Sequence, residues 1–74
     1  MAREHRKTFD EIGARINQLR RKKGKTLEKL AYEMNISKGN LSDIEHGKRD
    51  PRYSTLKAIA DGLGVSISEL LKGI

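Results

Sequence analysis

The most informative segment for the architecture is TLEKLAYEMNISKGNLSDIEHG, residues 26–47. Thr26 can cap a short helix whose apolar side chains recur at helical spacing, namely Leu27, Leu30, Ala31 and Met34. After a turn of about three residues, Ser37 can cap a second short helix with Leu41 and Ile44 on its inner face. Two short helices with this connection have the spacing of a helix-turn-helix unit.

Helices of about two turns are not stable alone, so this unit needs other helices behind it. Upstream, an apolar stripe predicts a first helix that starts at Thr8 or Asp10 and stops at Gly24, with Phe9, Ile12, Ile16 and Leu19 facing inward. Downstream, a fourth helix starts at Asp50-Pro51 or at Tyr53 and ends at Gly64. Ser66 caps a short fifth helix. We therefore predict a compact all-α domain of five helices over residues 9–74, preceded by a basic flexible arm over residues 1–8.

Length and composition exclude several classes of protein. The chain has 74 residues, enough for one small domain but not for a deep catalytic pocket, and it contains no cysteine. No apolar run is long enough to span a membrane, and the first residues lack the apolar core of a signal peptide. No catalytic or nucleotide-binding motif is present, and His5 and His46 are 41 residues apart without a third ligand. We expect a cytoplasmic protein that is not an enzyme, needs no metal or cofactor and carries no inducer-binding domain in this sequence.

The positive charge is concentrated in one part of the chain. Sixteen Lys and Arg against ten Asp and Glu give a net charge of +6, and all of this excess lies in residues 1–30. Its densest run is RRKKGK, residues 20–25. Cations at a helix C-terminus also complement the helix dipole, so charge alone leaves a solvated helix end and a phosphate-binding ridge both open.

The outer face of the third helix, residues 37–46, carries short polar groups that can donate and accept hydrogen bonds. With Leu41 and Ile44 inward, the side chains left outward or flanking are Lys38, Gly39, Asn40, Ser42, Asp43 and His46. Such groups match the donors and acceptors of base edges in the major groove of DNA. The tyrosines Tyr32 and Tyr53 are interpreted instead as aromatics at the edge of the core.

Three phrases of the sequence together resemble the Cro/repressor-type (Xre-like) helix-turn-helix family of phages and bacteria. They are IGARINQLRRKKGKTLEKLA, ISKGNLSDIEHGKRDP and TLKAIADGLGVSISELL, which cover residues 12–71 apart from short gaps. The resemblance implies a five-helix domain that binds double-stranded DNA, commonly as a homodimer, with the third helix in the major groove. It places base contacts at Lys38, Gly39 and Asp43, with Asn40 and Ser42 as nearby contacts to a base or a phosphate.

The same resemblance assigns other roles. It pairs Arg20 with Glu45 to hold the third helix against the first, with a phosphate contact as a second role for Arg20. Together with the basic run, it gives a predicted phosphate-contacting set of Arg20, Arg21, Lys22, Lys23, Lys25, Lys48 and Arg49. Two positions depart from the family pattern. Leu27 replaces a glutamine that usually donates to phosphate, and Gly39 offers no side chain where a base is often read, which implies weaker or less selective reading.

The fifth helix suggests an assembly surface. Leu70 and Leu71 point about 100° apart, so we expect at least one of Leu70, Leu71 and Ile74 to be partly exposed in a monomer. This predicts a weak homodimer whose interface consists of Val65, Ile67, Leu70, Leu71 and Ile74. The alternative is that the four apolar residues of the fifth helix, from Ile67 to Ile74, all close the monomer core. Two other functions stay open: an antitoxin or adaptor that uses the last two helices for a protein partner, and a basic module that binds nucleic acid without sequence preference.

Overall fold

The computed structural model describes the backbone of residues 2–74 and the side chains from Lys7 onward. Its five helices are α1 (Ala2–Lys22), α2 (Leu27–Met34), α3 (Lys38–Glu45), α4 (Tyr53–Leu63) and α5 (Ile67–Leu70). The described residues include no strand, so the predicted all-α class and helix order are confirmed. No helix in this part of the chain combines the length and apolar character needed to cross a membrane.

Hydroxyl caps set the start of three helices, as the sequence predicted. The backbone N–H of Lys29 donates to Thr26 Oγ1 at 3.1 Å, and that of Asn40 donates to Ser37 Oγ at 3.0 Å. Ser66 Oγ accepts from the N–H of Glu69 at 3.0 Å. Each cap satisfies an N–H that has no partner inside its helix, which fixes where α2, α3 and α5 begin.

The start of α1 differs from the expectation, and the start of α4 agrees with one of the two predicted positions. The structure starts α1 at Ala2, six residues before Thr8, because the helix continues upstream of the apolar stripe that marked its predicted start. The predicted flexible arm over residues 1–8 falls mainly on positions whose side chains lie outside the described residues, so it stays a prediction. For α4 the structure chooses Tyr53 over Asp50-Pro51, with Arg52 at the cap position but without a side-chain capping bond.

All five helices contribute to one core. Five large side chains are almost completely buried: Ile16, Leu30, Leu41, Ile59 and Leu70. Tyr32 and Tyr53 do not join this core, since 82% and 67% of their surface is exposed, so their interpretation as core-edge aromatics is wrong. In α2 the inward direction is taken by Leu30 and its neighbour Ala31, which turns the next side chain, Tyr32, toward solvent.

The crossing of α1 over the end of α3 fixes the position of α3. A Cβ atom added to Gly13 would lie 2.5 Å from the carbonyl oxygens of both Ile44 and Glu45. Only glycine therefore allows the two backbones to come this close. Gly47 follows the end of α3 with φ +73°, in the left-handed region that glycine adopts readily at a helix terminus.

Candidate nucleic-acid interface

The predicted reading face lies on the surface of α3. Lys38, Gly39 and His46 are exposed, while Asn40, Ser42 and Asp43 are half-buried. The inward residues Leu41 and Ile44 are buried, as the helical spacing predicted. The structure therefore presents this set of side chains together on one outer face, with the apolar side held in the core.

Ion pairs link the two charged side chains of this face to neighbouring elements. Lys38 Nζ lies 2.9 Å from Glu28 Oε2 on α2, and Arg49 Nε lies 3.4 Å from Asp43 Oδ2. The hydrogen bond from Lys38, with a smaller contribution from its own backbone N–H, holds the pKa of Glu28 below its ordinary value. These side chains are 41–64% exposed, so water screens both pairs and each is weak. A partner with hydrogen-bonding groups can therefore replace these contacts at low cost.

A buried polar network fixes α3 against α1. Arg20 Nε donates to Glu45 Oε2 at 2.7 Å, and Arg20 Nη2 donates to Glu45 Oε1 at 3.1 Å, which is a bidentate pair. Asn17 Nδ2 donates to the same Oε1 at 2.8 Å. The bond to Glu45 raises the pKa of Arg20, against the opposing effect of burial. The side chains of Arg20 and Glu45 are only 11% and 3% exposed, so this pair is part of the fold.

The predicted phosphate-contacting cations divide into two groups. Arg21, Lys22, Lys23, Lys48 and Arg49 are exposed. Lys25 is half-buried, because its Nζ donates to Glu33 Oε1 and to the carbonyl oxygen of Gly62, both at 2.6 Å. The guanidinium of Arg20 is occupied by Glu45 and by the carbonyl of Lys25, which accepts from Nη1 at 2.8 Å. Both cations hold the fold together, and their contacts with phosphate stay a prediction.

The predicted assembly surface around α5 changes by one residue. Leu70 has no exposed surface and packs in the core, so it cannot contribute to a dimer interface. Val65, Ile67 and Leu71 are half-buried, and Ile74 is 48% exposed. The expectation that at least one of the three terminal apolar side chains is partly exposed is confirmed.

Sequence reasoning missed several contacts that shape this surface. Asn17 gave no signal, because a single polar residue on the flank of a helix is common. Arg15 Nη2 donates to Glu69 Oε2 at 3.0 Å, and Arg15 Nε donates to the carbonyl of Leu70 at 3.2 Å. These groups are more than fifty residues apart, a separation at which no local pattern indicates contact. The pair of Glu28 with Lys38 requires the angle between α2 and α3, which the turn sets.

Comparison with known proteins gives one consistent result. A family model described as a helix-turn-helix domain matches residues 13–74. The chain is 37% identical over 60 residues to the immunity repressor protein of Bacillus phage phi105, covering 81% of this chain and 42% of that protein. It is 35% identical over 61 residues to control protein C.BamHI of Bacillus amyloliquefaciens, covering 81% and 75%. The chain thus spans less than half of the phage repressor.

Solved structures show the same arrangement of helices. The clp gene regulator ClgR from Corynebacterium glutamicum superposes with a TM-score of 0.83 at 32% identity, over 85% of this chain and 81% of that one. The SinR protein/SinI protein complex contains a chain that superposes with a TM-score of 0.77 at 36% identity, over 84% and 61%. The sequence match, the shared fold and the α2–α3 geometry agree, and the chain belongs to the Cro/repressor-type helix-turn-helix family that its sequence resembles.

Proposed function

We propose that this chain is a sequence-specific, double-stranded DNA-binding transcriptional regulator, acting in the cytoplasm as a repressor and without catalytic activity. The observation that carries the proposal is the construction of α3. Its outer face is polar and accessible, while its inner side is fixed by buried leucine, isoleucine and the bidentate Arg20–Glu45 pair. A helix with this division can enter a major groove without disturbing the core.

In this mechanism the side chains of α3 read base edges. The ammonium of Lys38 can donate to guanine O6 and N7, and the carboxylate of Asp43 can accept from cytosine N4. Asn40 and Ser42 supply shorter polar groups beside them. On binding, Lys38 exchanges its contact with Glu28 for one with a base, and Asp43 exchanges its contact with Arg49 for one with a base. Because both pairs are exposed, their loss removes little of the free energy of binding.

The exposed cations supply affinity that does not depend on sequence. We assign this role to Arg21, Lys22, Lys23, Lys48 and Arg49, which lie on the α1 terminus and on the loop after α3. Phosphate contacts release counterions from DNA, so their number can be measured from the salt dependence of binding.

The first experiment selects bound sequences from a random DNA pool and then compares the selected duplex with random DNA in a competitor titration. Specific binding should exceed non-specific binding by roughly 10³-fold or more at physiological salt. Equal affinity for both DNAs would contradict sequence-specific reading and leave the basic, non-selective module as the explanation.

Two variants separate the two kinds of contact. Lys38→Ala should lower affinity for the selected duplex by about 1–3 kcal/mol and leave random DNA almost unaffected. Neutralising Arg21, Lys22 and Lys23 together should weaken binding to both DNAs alike. It should also flatten the plot of log K against log salt by roughly 0.9 for each lost phosphate contact. The opposite assignment of effects would exchange the roles proposed for these residues.

We propose that two copies bind DNA together through the surface around α5. Val65, Ile67, Leu71 and Ile74 give this surface its apolar character, and a single short reading helix gains from a second half-site. Two copies of α3 would then enter successive major grooves about 34 Å apart. Sedimentation equilibrium from micromolar to near-millimolar protein should show a weak dimer, and Ile74→Ser should weaken it. A monomer at every concentration, with one protomer on the selected DNA, would contradict this.

The alternative is an antitoxin or adaptor that uses the same surface for a different protein. The observation that favours it is the similarity to the SinR protein/SinI protein complex, a structure of two different proteins in contact. A protein that stays monomeric at high concentration but loses co-purification of a partner on Ile74→Ser would support this alternative.

A further inference from the structure

Gly39 is exposed on the reading face, and the fold does not require a glycine there. A glycine is needed where φ is positive or where a Cβ would collide with other atoms. Five of the other glycines meet one of these conditions: Gly24, Gly47, Gly64 and Gly73 have positive φ, and a Cβ on Gly13 would lie 2.5 Å from two backbone carbonyl oxygens. A Cβ on Gly62 would lie 2.8 Å from the end of the Leu30 side chain. A Cβ at Gly39 would meet nothing within 4 Å.

Glycine at this position also reduces stability, because Gly39 lies inside α3 and glycine is a poorer helix former than alanine. Its neighbours do not fill the space above it. Lys38 is drawn toward Glu28 on α2, and Asp43, one turn further along the helix, is drawn toward Arg49 in the following loop. The helix surface at Gly39 is therefore open and lies one methyl group lower than an alanine would leave it, while Lys38 and Asp43 are paired with two different elements.

We propose that the C5-methyl group of a thymine packs on this open surface, so that Gly39 determines base preference through its missing side chain. In the major groove, only base pairs that contain thymine present a methyl group. This methyl group is the size of the side chain that Gly39 lacks. The inference rests on the proposed function and reverses the expectation that glycine here weakens selectivity. Lys38 and Asp43 then read the neighbouring bases, while the backbone at Gly39 approaches one base closely.

The test adds a methyl group to the protein, as Gly39→Ala, and removes one from the DNA, by replacing thymine with uracil. The probe is the duplex recovered from the random pool, with each thymine replaced in turn by uracil, which lacks the methyl group. Wild-type protein should lose roughly fourfold in affinity at one thymine of the site, the value of one buried methyl group. Gly39→Ala should lose roughly tenfold on the thymine duplex, comparable to a mismatched base pair, and recover most of it when that same thymine is replaced by uracil.

A loss of affinity in Gly39→Ala could not be caused by a loss of stability, because the variant should have a higher unfolding midpoint through better helix propensity. The matched control is Ala14→Gly on the exposed side of α1, which should lower the midpoint and keep the wild-type response to uracil.

If the pool yields a preferred sequence and Gly39→Ala binds its thymine and uracil forms as the wild-type protein does, the inference is overturned while the proposed function stands. An equal loss by Gly39→Ala on selected and random DNA also overturns it, because Gly39 would then approach the sugar-phosphate backbone. If the wild-type protein yields no preferred sequence, the proposed function fails together with the inference.

Discussion

The two faces of α3 use the same chemistry at opposite degrees of burial. On the inner side, the carboxylate of Glu45 is 3% exposed and accepts three hydrogen bonds, from Arg20 and Asn17. On the outer side, Glu28 and Lys38 form a single contact with more than half of each side chain exposed. A buried ion pair is costly to break because it leaves a charge without water or partner, whereas an exposed pair is replaced by water. The inner pair therefore fixes the helix, and the outer pair leaves it free to bind.

The largest change in stability is expected when the buried carboxylate of Glu45 is removed, and this change tests the difference between the two faces. Glu45→Ala should lower the free energy of unfolding by about 3 kcal/mol, because Arg20 would keep its charge in a buried site. Urea denaturation measures this directly. The matched variant Glu28→Ala should leave the unfolding midpoint nearly unchanged, and equal losses for the two variants would refute the distinction between the faces.

A second prediction compares glycines on the two sides of α3. Gly13→Ala should lower the free energy of unfolding by about 2 kcal/mol, because its Cβ would press on the carbonyls of Ile44 and Glu45. Gly39→Ala, on the open side, should instead raise it by up to about 1 kcal/mol. Thermal unfolding of both variants tests the pair, and a stable Gly13→Ala protein would show that the α1–α3 contact can relax.

A smaller effect is expected from the third member of the buried network. Asn17→Ala removes one hydrogen bond to Glu45 and should lower the free energy of unfolding by about 1 kcal/mol. Gln18→Ala is the control, since Gln18 is exposed and its Oε1 accepts a long hydrogen bond from Arg15 at 3.4 Å. No difference between the two variants in chemical denaturation would mean that water replaces Asn17 beside Glu45.

The smallest effect is the titration of the outer pair. The hydrogen bond from Lys38 holds the pKa of Glu28 below its ordinary value of 4.5. A folded pKa below the unfolded one stabilises the protein above the unfolded pKa, and this contribution disappears as the pH falls through the folded pKa. The carboxyl shift of Glu28, followed by nuclear magnetic resonance, should move back toward 4.5 in Lys38→Ala. An unchanged titration would mean that the two side chains do not pair in solution.

The sequence predicts the order of the helices better than the surface that they build. Hydroxyl residues before apolar stripes mark three helix starts, and Gly24, Gly47 and Gly64 follow three helix ends, because caps are local effects. The start of α1 was predicted too late, since residues 2–8 contain no apolar stripe that would mark a helix in the sequence.

The partners of charged residues were harder to predict. The sequence marks Lys25 and Arg21 alike as cations in one run, but only Lys25 reaches the carbonyl of Gly62, 37 residues away. That choice depends on where α4 ends in space. The resemblance to the family supplied the contact between Arg20 and Glu45, which no local pattern indicates. Leu70 is buried and Leu71 is half-buried, because only one side of the single turn of α5 faces the core. The sequence does not show which side that is.

The guanidinium of Arg20 joins two parts of the molecule that have different tasks. Through Nε and Nη2 it holds the end of α3, and through Nη1 it holds the carbonyl of Lys25, in the loop that follows the exposed cations of α1. A single side chain thus fixes the position of α3 relative to the loop after α1. In the proposed complex with DNA, α3 and the cations of α1 must match the spacing that the double helix sets between base edges and phosphates. Arg20 is the side chain through which the fold keeps that spacing constant.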